Sequence, residues 1–216
     1  MTVKYEKERR EVINTGIDMA KTNLVVGTWG NISRRIDDNL IVITPSGMDY
    51  YSLEPEDIVV LNMDGEVVDG NRKPSIEYNL HLEVYKNRSD VGAVVHTHST
   101  FCTAFAIARK GIPGTAEDLV QIVGGDVKVS EYALPGGIEL AHNAVRALGD
   151  RNAVILANHG ALSAGRDLKE ALKISLILEK TAEATIYAQI LGGAVSLSQS
   201  DVDFMRDFYL NKYGQR

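Results

Sequence analysis

The chain is poor in the features that mark whole classes of protein. It has one cysteine, Cys102, in 216 residues. That excludes an intrachain disulfide framework and suits a reducing cytoplasm, the compartment expected here. Cys102 stands in the apolar stretch from Phe101 to Ile107 and reads as a core residue. No basic stretch exceeds a few residues, and the formal net charge is −6. Nucleic acid and anionic membrane are therefore not expected as partners. An acidic chain that binds an anion has to do so locally, with backbone amides and a metal. No apolar run approaches the ~20 residues of a membrane span. The Lys- and Glu-rich N-terminus does not read as a signal peptide. With no repeat, linker or low-complexity segment, residues 1–216 read as a single domain with one core.

The chain is organised around Val94-Val95-His96-Thr97-His98, the end of an apolar run that begins at Val91. Read as a buried strand, it puts His96 and His98 on one face with Thr97 opposite. Two imidazoles so placed can reach one metal ion but are too few for a stable site. Catalytic zinc usually takes three protein ligands. A second apolar strand, Ala153 to Asn158, ends at His159-Gly160 and offers the third. Core histidines held by backbone carbonyls would account for one such residue. Three at the ends of apolar strands favour a three-histidine metal site with an open position. His142 lies mid-helix and reads as a surface or packing residue. His81 stands four residues after Glu77, so the two share a helix face. That pair is a weaker ligand candidate, and His81 is expected to pack or hydrogen-bond.

Along the rest of the chain, Lys4 to Leu24 has the periodicity of an amphipathic helix, with Val12, Ile13, Ile17, Ala20 and Leu24 on one face. Gly27-Thr28-Trp29-Gly30-Asn31 is a tight loop entering a strand at Ile32. Leu40 to Thr44 is a strand, followed by the turn Thr44-Pro45-Ser46-Gly47. Either turn can present N–H groups and hydroxyls to an anion, or be an ordinary turn. Asp57 to Leu61 and Glu66 to Val68 flank an Asp-Gly hairpin signal. Ser75 is expected to cap a helix that runs to about Lys86. Glu77 in its first turn would suit the helix dipole, and that N-terminus is also a potential anion site. Further helices are expected over Thr100 to Arg109, Gly137 to Leu148, Asp167 to about Ile190, and Ser200 to Tyr209. Asp126 to Val129 is a short strand candidate, Leu162 to Ala164 a hairpin arm, and Ala116 to Val123 is ambiguous. Hairpins with helices fore and aft predict an α/β fold, a three-layer α/β/α domain with a mixed sheet.

Taken together, these motifs resemble the class II aldolase/adducin superfamily, which includes L-fuculose-1-phosphate aldolase and L-ribulose-5-phosphate 4-epimerase. The matching stretches are Gly27 to Asn31, Ile43-Thr44-Pro45-Ser46-Gly47, Lys73-Pro74-Ser75-Ile76-Glu77, His96-Thr97-His98 and Asn158-His159-Gly160, in family order along nearly the whole chain. The resemblance implies a mostly antiparallel central sheet and a homotetramer with active sites between subunits. It implies zinc, or manganese or cobalt, on His96, His98 and His159. Glu77 matches the acid/base of the aldolases. Gly30, Asn31, Ser46, Gly47 and Ser75 match the phosphate cradle, and Ile76 adds its backbone N–H. Tyr213 matches a catalytic tyrosine near the aldolase C-terminus.

Two positions depart from that pattern. Ile76 stands where many such aldolases have a second serine, which removes one hydroxyl from the cradle. Glu117 and Asp118 stand where fuculose-phosphate aldolases carry a tyrosine; Glu117 is the nearer by spacing from Pro113 and is the third catalytic candidate. The expected reaction is metal-dependent retro-aldol cleavage of a ketose 1-phosphate, such as L-fuculose 1-phosphate, into dihydroxyacetone phosphate and an aldehyde. The rival within the superfamily is 4-epimerisation of L-ribulose 5-phosphate, with decarboxylases and dehydratases further off. The rival outside it is a non-catalytic, adducin-like interaction domain, which is expected to lack the three histidines.

Overall fold

The computed structural model describes residues 3–215. Its centre is a seven-stranded sheet in the order β4-β3-β2-β1-β5-β7-β6. The strands are β1 (Asn31–Arg35), β2 (Leu40–Ile43), β3 (Val59–Asn62), β4 (Val67–Asp69), β5 (Ala93–Thr97), β6 (Ala153–Leu156) and β7 (Gly160–Gly165). Every strand pairing is antiparallel. The parallel component of the expected mixed sheet is a single bridge, Val129 to Ile155.

Among the described residues, seven α-helices cover the sheet: α1 (Glu6–Lys21), α2 (Tyr78–Asn87), α3 (Thr100–Ala108), α4 (Glu117–Val123), α5 (Ile138–Leu148), α6 (Leu168–Ile190) and α7 (Gln199–Asn211). Side-chain alternation along the strands divides the core into layers. On one face Val94, Leu162 and Leu156 pack with Leu80 and Val84 of α2 and Leu140 and Ala144 of α5. On the other, Ala93, Val95 and Ile32 meet Val12 and Met19 of α1 and Leu168 and Ala171 of α6. A third cluster fills the same side near β6, with Cys102 and Ala106 of α3, Leu119 and Ile122 of α4, and Ile174 and Leu178 of α6. This is the expected three-layer α/β/α arrangement. Cys102 is buried in it.

Local chemistry explains most boundaries. Asp167 accepts from the Glu170 N–H and starts α6 where the sequence placed it. In the β3–β4 hairpin, Asn62 Oδ1 accepts from the N–H groups of Asp64 and Glu66, and Gly65 takes the positive φ of the turn. Two expectations need correction and one left open is resolved. The helix placed from Ser75 begins at Tyr78, because Ser75 Oγ and its carbonyl accept from Glu77 N–H and Tyr78 N–H in a separate turn. Residues 126–129 form two isolated bridges rather than a strand. The ambiguous stretch from Ala116 is helix α4.

Candidate active site

Register brings the histidines together. His96 lies opposite Asn31 on β1 and opposite Leu162 on β7. His98 follows β5 directly, with its N–H held by the Leu24 carbonyl. His159 sits in the three-residue connection between β6 and β7, after Asn158, which adopts the left-handed conformation that asparagine tolerates. Gly160 lets β7 close on β5 beside them. A Cβ there would lie 2.2 Å from the Thr97 carbonyl oxygen.

The three imidazoles form an equilateral triangle, with each pair of ring centroids 4.8 Å apart and each pair edge to face. Glu77 closes the cluster, its Oε2 3.3 Å from His96 Nε2 and its Oε1 3.3 Å from His159 Nε2. One potential ligand atom from each of the four residues lies within 4.8 Å of the others. His96 Nδ1 donates to the Ala161 carbonyl, so in the neutral ring its Nε2 is a bare lone pair. His98 Nε2 stands only 2.9 Å from it. Two imidazole nitrogens facing each other at that distance need a shared proton or a cation. Glu77 Oε1 and His159 Nδ1 are buried without a hydrogen-bond partner among the described residues. Such orphaned groups, in a triangle of nitrogen donors closed by a carboxylate, fit a divalent transition-metal ion.

The electrostatics agree. Burial, then the neighbouring His96 and His159 charges, lower the His98 pKa to about 3. Burial and His96 lower that of His159 to about 4. Both rings are therefore neutral and available as ligands at neutral pH. Burial opposes ionisation of Glu77, but His96, His159 and the Asn31 hydrogen bond outweigh it and hold the carboxyl well below the usual carboxylate range. Burial lowers the His96 pKa, and the Glu77 carboxylate outweighs that and raises it.

Beside the cluster opens a cavity of about 410 Å³. Its walls include Gly30, Asn31, Ser46, Gly47, Ser75 and Ile76, the six residues expected to cradle phosphate. Among the described residues, the N–H groups of Gly47 and Ile76 have no protein partner. Trp29, Pro45, Ile76 and Pro135 give the cavity its apolar wall, and Trp29 leans on the His98 ring at 5.4 Å. The Trp29 loop is pinned by Tyr50, whose buried hydroxyl donates to the carbonyls of Trp29 and Gly30.

Glu117 and Tyr213 are not brought to this cavity within the chain. Glu117 is exposed at the start of α4, and its neighbour Asp118 is engaged by Lys180 at 2.6 Å. Tyr213 packs on Phe208 and Tyr209 of α7. His142 is exposed, 3.8 Å from Glu83 on α2. His81 is fully buried and bonded to Asn31 and Ser33. The Asn31 bridge to Glu77 escaped sequence reading. Its signal was the alternation of Asn31 and Ser33 on one strand face and the four-residue spacing of Glu77, His81 and Tyr85 on a helix.

Three imidazoles and a carboxylate, with His96 and Glu77 buried and His98 and His159 half-buried, open on a cavity walled by amides and hydroxyls and define a candidate metal site that can also hold an anion. Residues 10–186 match the family described as Class II Aldolase and Adducin N-terminal domain, and the chain belongs to that family. A 5-deoxy-D-ribulose 1-phosphate aldolase of Bacillus thuringiensis serovar kurstaki is 35% identical over 98% of this chain and 99% of its own. An L-fuculose phosphate aldolase of Methanococcus maripaludis is 38% identical, covering 74% of this chain and 85% of its own. A solved structure of an L-fuculose 1-phosphate aldolase superposes with a TM-score of 0.93 at 36% identity, over 96% of this chain and 98% of the other. The superfamily resemblance read from the motifs holds along the chain. No helix among the described residues is long and apolar enough to cross a membrane.

Proposed function

We propose that the protein is a metal-dependent lyase that cleaves a ketose 1-phosphate into dihydroxyacetone phosphate and an aldehyde. The observation that carries this reading is the triangle of His96, His98 and His159 with Glu77 against it, beside the amide-lined cavity. The three histidines would hold the ion, proposed as zinc, with manganese or cobalt as substitutes. When bound, the ion would stabilise the negative charge that develops on the ketose carbonyl oxygen, which needs no lysine Schiff base.

The chain's own residues supply the rest. The N–H groups of Gly47 and Ile76 and the hydroxyls of Ser46 and Ser75 hold the phosphate at one end of the cavity. In cleavage the C4 hydroxyl loses its proton and the bond between C3 and C4 breaks. The electron pair passes toward the carbonyl oxygen, and C3 then receives a proton. Glu77 moves that last proton, and in the condensation direction its carboxylate removes it. Such general acid–base help is worth ~10²–10⁴ in rate. The proton on the aldehyde side is assigned to Glu117 or Tyr213 of a neighbouring subunit in a homotetramer. Supporting this are the exposure of both residues outside their own chain's cavity and the exposed Ile107, Tyr187, Ile190 and Leu191 at the ends of α3 and α6. The long apolar helix α6 supports it less, since Ile174, Leu178 and Ala182 are already buried within the chain.

Within ketose 1-phosphates we favour a deoxy sugar. The walls from Trp29, Ile76 and Pro135 suit a terminal carbon without a hydroxyl, and the relatives' names point the same way. Candidates are 5-deoxyribulose 1-phosphate and L-fuculose 1-phosphate. The test is a panel of both, with L-ribulose 5-phosphate, reading product identity. Dihydroxyacetone phosphate from a ketose 1-phosphate supports the proposal. Xylulose 5-phosphate from L-ribulose 5-phosphate, with no triose phosphate from any sugar, establishes the epimerase instead.

A further inference from the structure

His81 neither lines the cavity nor joins the histidine triangle, yet it is fully buried, 0% exposed, between β1 and α2. Its two ring nitrogens have different partners. Nδ1 lies 2.6 Å from Ser33 Oγ, which is itself 2.8 Å from the Tyr85 hydroxyl. Nε2 lies 2.5 Å from Asn31 Oδ1, and Asn31 Nδ2 donates to Glu77 Oε2 at 2.8 Å. Every member is buried: Tyr85, Ser33, His81, Asn31 and Glu77.

Donor and acceptor counting gives this chain one direction. The ionised Glu77 accepts only, so Asn31 must turn its amide nitrogen toward Oε2 and its oxygen toward His81. His81 Nε2 must then carry a hydrogen, and the neutral ring accepts at Nδ1 from the Ser33 hydroxyl. Tyr85 in turn donates to Ser33. A charged imidazolium would leave Ser33 without a ring acceptor. Burial keeps the ring neutral by lowering its pKa to about 3. Both Asn31 Oδ1 and one amide hydrogen are thus committed inward, away from an anion in the cavity. Glu77 is left asymmetric: Oε2 accepts from Asn31, while Oε1 is buried with no hydrogen-bond partner, 3.3 Å from His159 Nε2.

We propose that Tyr85, Ser33, His81 and Asn31 form a one-way hydrogen-bond chain that fixes the Glu77 carboxylate by Oε2 and leaves Oε1 as the oxygen that moves the proton. His81 and Asn31 are positioning residues for the reaction. The proposal rests on the reading of Glu77 as the acid/base. A purely structural network would satisfy the same buried groups but would have no effect on turnover once the fold is intact.

The test uses the zinc-loaded, full-length protein labelled with nitrogen-15 in histidine. Long-range nitrogen–proton correlation spectra should show His81 as the neutral Nε2–H form, assigned by the loss of its signals in His81→Gln. A neutral Nδ1–H form, or an imidazolium, overturns the chain's direction. Kinetics supply the second arm. Glutamine can keep an N–H donor near the Nε2 position and leucine cannot. Substitution of such supporting groups typically costs about 10–100-fold, so His81→Leu should lose about tenfold or more in kcat, with KM and zinc content within about twofold of the parent. His81→Gln should recover most of that loss. If His81→Leu does not fold, Ser33→Ala serves instead. It should keep the Nε2–H form that Asn31 dictates, leave Nδ1 without its donor and show a several-fold loss in kcat. Unchanged kcat in a folded His81→Leu or Ser33→Ala protein, or no recovery in His81→Gln, overturns the proposal. Glu77→Gln is measured alongside. If it retains turnover, the acid/base reading itself has failed; if it is inactive while His81→Leu is not, only the chain has.

Discussion

Glu77→Gln is the substitution that separates chemistry from architecture at this site. Sequence alone allowed Glu77 to serve the dipole of the following helix. In the structure it occupies the N-cap position of α2, but its side chain makes no capping hydrogen bond. It turns instead to His96 and His159, 3.3 Å from each, and accepts from Asn31. Glutamine is close to isosteric and keeps an oxygen for Asn31. The lost helix-dipole interaction costs a few tenths to ~1 kcal/mol. The lost proton transfer costs ~10²–10⁴ in rate, or roughly 3–5 kcal/mol of barrier. The two magnitudes do not overlap. A coupled assay for triose phosphate gives the rate, and urea unfolding of the same preparation gives the stability. We expect turnover down by ~10²-fold or more and stability within ~1 kcal/mol of the parent. A variant with near-parental turnover would refute the acid/base role, whatever its stability.

Three further outcomes follow from particular contacts. Gly160→Ala puts a Cβ 2.2 Å from the Thr97 carbonyl oxygen. It should cost about 1–3 kcal/mol in thermal or chemical unfolding by forcing β7 from β5. Because Ala161 supports His96 Nδ1, it should also weaken metal affinity about 10-fold or more in a competition titration. Glu117→Ala should slow cleavage more than Asp118→Ala, since Asp118 is held by Lys180; if neither changes the rate, Tyr213 becomes the proton donor to test. Sedimentation should find an oligomer at micromolar concentration, and a fully active monomer would contradict a site shared between subunits.

The legible part of this fold was the part fixed by local chemistry. Apolar runs and the Asp-Gly turn gave the strands, and Asp167 gave the start of α6, because each signal lies within a few residues of its effect. The start of α2 was misread because Ser75, a good cap by type, accepts from Glu77 N–H at its hydroxyl oxygen in a turn of its own. Residues 126–129 have the composition of a strand but find only single bridges to Ile112 and Ile155. The histidine triangle was legible because strand-end histidines announce themselves by spacing. The bridge from His81 through Asn31 to Glu77 was not. It joins residues as much as 50 apart in sequence, and its meaning depends on which nitrogen of a ring carries the proton. Glu117 and Tyr213 do not line the cavity within one chain, and neither spacing nor this fold places them against substrate.

The most direct test of the account is metal analysis joined to reconstitution. His96, His98 and His159 should hold one divalent ion per chain. A chelator should abolish cleavage while the fold persists, and zinc, manganese or cobalt should restore it. Replacing any of the three histidines with alanine should remove the ion, whereas His142→Ala should leave metal content unchanged. A rigorously metal-free preparation that cleaves at the full rate would contradict the account at its centre.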